Sequence, residues 1–264
     1  MSFKSKIFHF ICVKHYQERS LEKRFQLGLD KSREFFNRFN NSIDFSEKSI
    51  IDIGCGLGAT CIYMALHGAK RVVGIDLEIN HIDFAKKKLE TDYNYLINTV
   101  EFKHNNEMKN ELFDIIISKD CFEHYENPET FIFTMKKYMK KDGIMVIGFS
   151  PLWKSPYGGH INDLTRFPWA HLIFPEKIII DEYSKLRNEN MKYFRQGIHG
   201  FNKMTLKRYQ KIINESGLKP EFFIINVAST LLNKIVFSIF NIFKHFPFLK
   251  DYFIVNIYSI LRQV

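Results

Sequence analysis

A short β-branched run that breaks into glycines constrains this chain more than any other feature. Ser49-Ile50-Ile51-Asp52-Ile53 leads directly into Gly54-Cys55-Gly56-Leu57-Gly58. Residues 59–67 then read as a helix, and Gly68 is a natural stop for it. Strand, tight turn and helix in that order open a βαβ unit. The glycines let the backbone turn sharply and come close to a ligand. Arg71-Val72-Val73-Gly74-Ile75-Asp76 reads as a second strand, ending in an acid about twenty residues after the turn. A carboxylate at that place can accept both hydroxyls of an adenosine ribose.

The rhythm continues. Val100–Lys103, Phe113–Ser118 and Ile144–Phe149 read as strands, the fourth apolar enough to be buried on both faces. Residues 79–96 and 128–140 read as helices, the second stopped by Lys141-Asp142-Gly143. A helix over 20–41, with Phe25, Leu29, Phe36 and Phe39 near helical spacing, precedes the first strand. This alternation predicts an α/β fold: a Rossmann-like, mostly parallel sheet with helices on both faces.

The 264 residues fit a single domain with an embellishment. Residues 20–150 form its cofactor-binding core. Pro151, Pro156, Gly158, Gly159, Pro168 and Pro175 break the pattern, so 151–203 is an insertion after strand five. In such a fold it lies over the active-site end of the sheet and shapes an acceptor pocket. Residues 204–228 supply a closing helix, capped near Thr205 and stopped by Gly217, and a strand over Phe222–Val227. Residues 229–264 are rich in Leu, Ile and Phe and read as an apolar helical region.

Charge and cysteines narrow the function classes. The net charge is +9, but no block of five or more like charges occurs and no RNA-binding module is appended, so nucleic acid is not the expected partner. Cys12, Cys55, Cys61 and Cys121 are scattered without a C-x-x-C pair. They read as reduced thiols of a cytoplasmic protein. No histidine pair has i, i+4 spacing with a carboxylate, so no metal is expected. Lys4 and Lys6 precede an apolar run from Ile7 to Val13, which His9 interrupts and which is too short for a secretory signal.

Gly54, Gly56 and Ala59 also satisfy the dinucleotide pattern G-x-G-x-x-G/A, so spacing alone leaves NAD open. Asp52 favours a cationic ligand instead, because an acid near the turn would repel a pyrophosphate. Ile51–Gly58 resembles the first motif of the class I S-adenosylmethionine (SAM)-dependent methyltransferases, and Arg71–Asp76 resembles the second. Phe113–His124 resembles the fourth-strand motif, and Lys140–Met145 the turn before strand five. Asn202–Thr205 through Ser216-Gly217-Leu218 is similar to the closing helix and strand of the small-molecule, type 11-like branch.

The resemblance covers roughly residues 48–150 and implies SAM as cofactor. It implies a site built from Asp52, Gly54, Cys55, Gly56, Gly58, Asp76 and Leu77, with Lys119 near the methionine end. Where the family often has Asp against the adenine amino group, this chain has Asn105-Asn106. We carry the contact to Asn106, with Asn105 as the other register; an amide oxygen accepts the same hydrogen bond without charge.

Methyl transfer to oxygen, nitrogen or carbon of a small, apolar or aromatic acceptor follows as the expected activity. His160, after Tyr157-Gly158-Gly159, is the first candidate base; His124 is the second and His199 a distant third. Glu123 and His124 follow strand four, beside the methyl group, where capping and packing are the plainer role. Arg166 and Trp169 are candidates to shape the pocket. Two alternatives stand beside this reading. One is a nucleic-acid methyltransferase, against which Asp120-Cys121-Phe122-Glu123 stands where an N/D-P-P-Y turn is expected. The other is a SAM- or nucleotide-binding scaffold without turnover. The apolar C-terminal region serves either as a core or homo-oligomer interface or as a peripheral membrane contact.

Overall fold

In the computed structural model, β1 (Ser49–Ile53), β2 (Arg71–Asp76), β3 (Val100–His104), β4 (Phe113–Lys119) and β5 (Met139–Phe149) run parallel. The full sheet has the order β3-β2-β1-β4-β5-β7-β6, with β6 at Leu218–Ile225 and β7 at Ile257–Gln263. The structure describes residues 2–12, 19–40, 42–108, 110–187, 202–227, 231–243, 245–246 and 248–263, of which 231–236 by backbone alone. The helices are α1 (Phe3–Ile11), α2 (Leu21–Asn37), α3 (Ala59–Leu66), α4 (Ile79–Asp92), α5 (Pro128–Lys137), α6 (Ala170–Ile173), α7 (Glu176–Arg187), α8 (Leu206–Glu215) and α9 (Leu231–Phe243).

The strands are apolar along their length because both faces are covered. Successive side chains of a strand point to opposite faces. Ile50 therefore joins Phe25 and Phe35 of α2, Ile62 of α3 and Ile82 of α4. Ile51 joins Ile132 of α5 and Tyr209 and Ile212 of α8. Each such buried side chain contributes about 1.5–3 kcal/mol. A third apolar cluster lies within the insertion, where Leu164, Phe174 and Ile179 enclose Phe8 of α1. α1, which the sequence reading did not predict, thus packs on the insertion, and Ile11 O accepts a hydrogen bond from Thr165 Oγ1 at 2.9 Å.

The C-terminal region departs from expectation. It is helical over α9, but Ile257–Gln263 form β7, inserted antiparallel between β5 and β6. β7 is covered on both faces, so Ile257, Tyr258, Ile260 and Leu261 are all buried. Its run lacks the alternation that marks a half-exposed strand. Its buried Ser259 hydroxyl is paired with Tyr209 Oη at 2.6 Å.

Candidate cofactor site

The turn between β1 and α3 is stitched to β2. The N–H groups of Gly54 and Cys55 both donate to Ile75 O, at 2.8 and 3.0 Å. Gly54 sits at φ +80°, and a Cβ there would lie 2.1 Å from Cys121 Sγ, so the turn packs directly on the segment after β4. Gly56, at φ +54°, has no atom within 4 Å of where a Cβ would be. Its bare backbone borders a cleft of about 410 Å³ at the carboxyl ends of β1, β2 and β4. Open α/β sheets bind their ligands at such strand ends.

Asp76 and Leu77, with His81 and Asn105, form one wall of the cleft; Asp120, Cys121, His124 and Tyr125 form the other, and Arg24 of α2 adds a cation. Asp76 Oδ2 accepts the Gly56 N–H at 2.8 Å, and Oδ1 accepts the Glu78 N–H at 2.9 Å. His81 Nδ1 stands 3.7 Å from Oδ1. Burial works to raise the Asp76 pKa, but His81 and the two N–H groups outweigh it and hold the carboxyl below its ordinary range. It is therefore an anion at neutral pH.

Asp52 differs. It is 1% exposed, its Oδ2 accepts from the Cys61 thiol at 3.5 Å, and its Oδ1 has no hydrogen-bond partner. Burial pushes its pKa up to about 7, against the opposing pull of the Lys119 charge and the Cys61 thiol.

The turn after β4 is anchored from the far side of the insertion. Asn202 Nδ2 donates to Phe122 O and to Tyr125 O, both at 2.9 Å, and Asn202 N–H donates to Glu123 O at 2.9 Å. Arg208 of α8 holds Asn202 O through Nη1 and clasps the Glu129 carboxylate through Nε and Nη2 at 2.7 and 2.9 Å. The clasped turn presents His124 to the cleft. Behind it, Glu123 is 2% exposed, with Oε1 3.8 Å from His124 Nε2. Burial, reinforced by Asp120, pushes the Glu123 carboxyl well above its ordinary range. The His160 ring lies 5.7 Å from that of His124, edge to face.

Of the residues singled out from sequence, Gly54, Gly56, Asp76, Leu77 and His124 line the cleft. Asp52, Cys55 and Gly58 stand beneath the turn rather than in the cleft, Gly58 against Phe102. Lys119 turns away toward Asp120, at 3.3 Å, and the Phe35 ring. Asn105 lines the cleft where Asn106 does not, because the chain enters a 3₁₀ turn at Asn105. Arg166 is exposed, and Trp169 is engaged by Lys154 O and Phe253. His199 lies outside the described residues.

Sequence reading missed Arg24, His81, Cys121 and Tyr125. Arg24 comes from a helix before any motif, and nothing local marks it. His81 follows Asp76 by five residues on the next helix, a spacing that could have found it.

Residues 51–147 match the family model of a methyltransferase domain. The mitochondrial ubiquinone biosynthesis O-methyltransferase of Dictyostelium discoideum is 34% identical over 110 residues, 38% of this chain and 34% of that protein. Phosphoethanolamine N-methyltransferase 1 of Arabidopsis thaliana is 30% identical over 123 residues, 46% of this chain and 24% of that protein. The match therefore spans well under half of these relatives. An S-adenosylmethionine dependent methyltransferase from Mesorhizobium loti superposes with a TM-score of 0.59 at 16% identity, over 89% of this chain and all of that one. At that identity the likeness is one of fold. The glycine turn, the acid at the end of β2 and the sheet order agree with the methyltransferase-domain match over residues 51–147, and the solved structures show the same fold.

Proposed function

We propose that this protein transfers a methyl group from SAM to a nucleophilic atom of a small, apolar or aromatic acceptor. The observation that carries the reading is Asp76: an ionised carboxylate beside the open Gly56 backbone, at the strand ends where a nucleoside binds. The residues present fit SAM. Asp76 accepts the ribose hydroxyls, the Asn105 amide meets the adenine edge, and Arg24 offers a guanidinium to the amino-acid carboxylate. SAM, when bound, supplies an electrophilic methyl on a sulfonium.

The chain's remaining work is positioning and proton handling. Holding donor and acceptor at near-attack distance supplies roughly 7–11 kcal/mol in favourable cases. His124 faces the cleft with His160 beside it, and an imidazole suits removal of a proton from a hydroxyl near neutral pH. Glu123 stands directly behind that ring, with Oε1 3.8 Å from His124 Nε2. The insertion, which brings His160, supports an acceptor pocket on the same side.

Label transfer from methyl-tritiated SAM to a panel of phenols, catechols and amines tests the reading. Transfer to a phenol or catechol that falls about a hundredfold in His124→Phe supports it. Firm SAM binding without transfer to any acceptor favours the scaffold alternative.

A further inference from the structure

Several of the large apolar side chains left in solvent lie in three segments. On α1, Phe3, Ile7 and Phe10 share one side of the helix, and Phe3 and Phe10 are 78% and 88% exposed. The other side of α1 is used, since Phe8 packs on Phe174 with ring centroids 4.8 Å apart. On α9, Phe240 and Phe243 face inward onto Phe253, at 5.2 and 4.6 Å. Ile239 and Ile242, on the outward side where polar residues belong, are exposed, and beyond the helix Phe248 is 92% exposed.

The segments are joined through their inward faces. α6 begins beside Trp169, which lies 5.9 Å from Phe253 under α9, and ends at Phe174, which holds α1. Between them α6 leaves its own Leu172 and Ile173 exposed. An apolar surface of this kind marks an interaction site.

Charge says with what. Residues 2–12 contain Lys4 and Lys6 and no acid; residues 231–250 contain Lys234, Lys244 and Lys250 and no acid. Two copies meeting through this surface would set lysine against lysine. Anionic lipid headgroups would neutralise Lys4 and Lys6 on α1 and Lys250 beyond α9. The surface does not cross a bilayer: among the described residues no helix is long and apolar enough. α9, with 13 residues, is about 20 Å long, against about 30 Å of hydrocarbon.

We propose that α1, α6 and α9 together form a docking surface for an anionic lipid bilayer, with the exposed phenylalanines in the headgroup–acyl boundary and the lysines on the headgroups. Sedimentation of the full chain with vesicles tests this. One set is phosphatidylcholine alone, and the other contains about one third phosphatidylserine. The protein should pellet with the anionic vesicles, and much less with neutral ones or at high salt. Phe10→Asp, and separately Ile242→Asp with Phe248→Asp, should each weaken partitioning about tenfold while the thermal midpoint stays unchanged. A protein that stays in the supernatant with both vesicle types overturns the proposal. So do variants that bind like the parent, or light scattering that shows a dimer broken by the same substitutions without vesicle binding.

Discussion

Replacing Asp52 by Asn tests the electrostatics beneath the glycine turn. Asp52 is fully buried, and its carboxyl sits at about 7 in the folded protein against an ordinary value of 3.8. Burial is the main cause, with Asp76 adding to it and Lys119 opposing. The folded state thus holds this proton more tightly than the unfolded chain does. Stability falls as pH rises from about 4 toward 7 and then levels, because only the folded state resists ionisation. At about 1.4 kcal/mol for each pH unit between the two values, the full penalty above pH 7 is about 4 kcal/mol. Between pH 5 and pH 8 it grows by about 2–3 kcal/mol. A side-chain amide carries no proton to lose in this range, so the variant should lack this component. The amide group leaves a constant offset, because the Oδ1 side of Asp52 has no partner. The slope is therefore the informative quantity. Urea unfolding of both proteins at pH 5, 6, 7 and 8, without ligand, should show the Asp52→Asn variant gaining about 2–3 kcal/mol on the parent across that range. Parallel curves would refute the reasoning and mean that Asp52 is ionised and solvated in the folded state.

Three further outcomes follow from the site. Gly54→Ala forces a Cβ to within 2.1 Å of Cys121 Sγ at a positive φ that alone costs about 1–2 kcal/mol; calorimetry should show SAM affinity down about tenfold or more, partly restored by adding Cys121→Ala. Arg24→Ala removes the guanidinium proposed to meet the cofactor carboxylate, so SAM affinity should drop about tenfold while the unfolding midpoint holds. Asn202→Ala deletes the donor to Phe122 O and Tyr125 O and should cost about 1–3 kcal/mol of stability. Proton NMR of the His124 ring should report the loosened turn as changed ring chemical shifts.

Sheet, turn and strand-end acid were legible because each rests on local pattern. β1 and β2 are apolar runs closed by a glycine turn and by Asp76, and helices separate them at regular spacing. Long-range partnership was not legible. β7 was hidden because it lies between β5 and β6 with both faces buried, so its run is continuously apolar like the helix before it. β6 begins at Leu218, earlier than Phe222, because an edge strand with an irregularity at Pro220 tolerates a proline that argues against a central strand. At the site, Gly54, Gly56 and Asp76 were readable as a motif. Arg24 reaches the cleft only through the packing of α2 on α3, which no local window contains. Asp52 was placed by charge reasoning near the ligand; the pleat points it under α3 instead, toward Cys61.

The central claim is that Asp76 and the glycine turn hold SAM. Calorimetric titration of the purified chain with SAM and, separately, with NAD, repeated on Asp76→Ala, tests it most directly. The account predicts micromolar SAM binding, none of NAD, and a loss of tenfold or more in the variant, as expected for hydrogen bonds to a charged group worth about 1.5–3 kcal/mol. Binding of NAD in place of SAM, or SAM binding that Asp76→Ala leaves untouched, would contradict it.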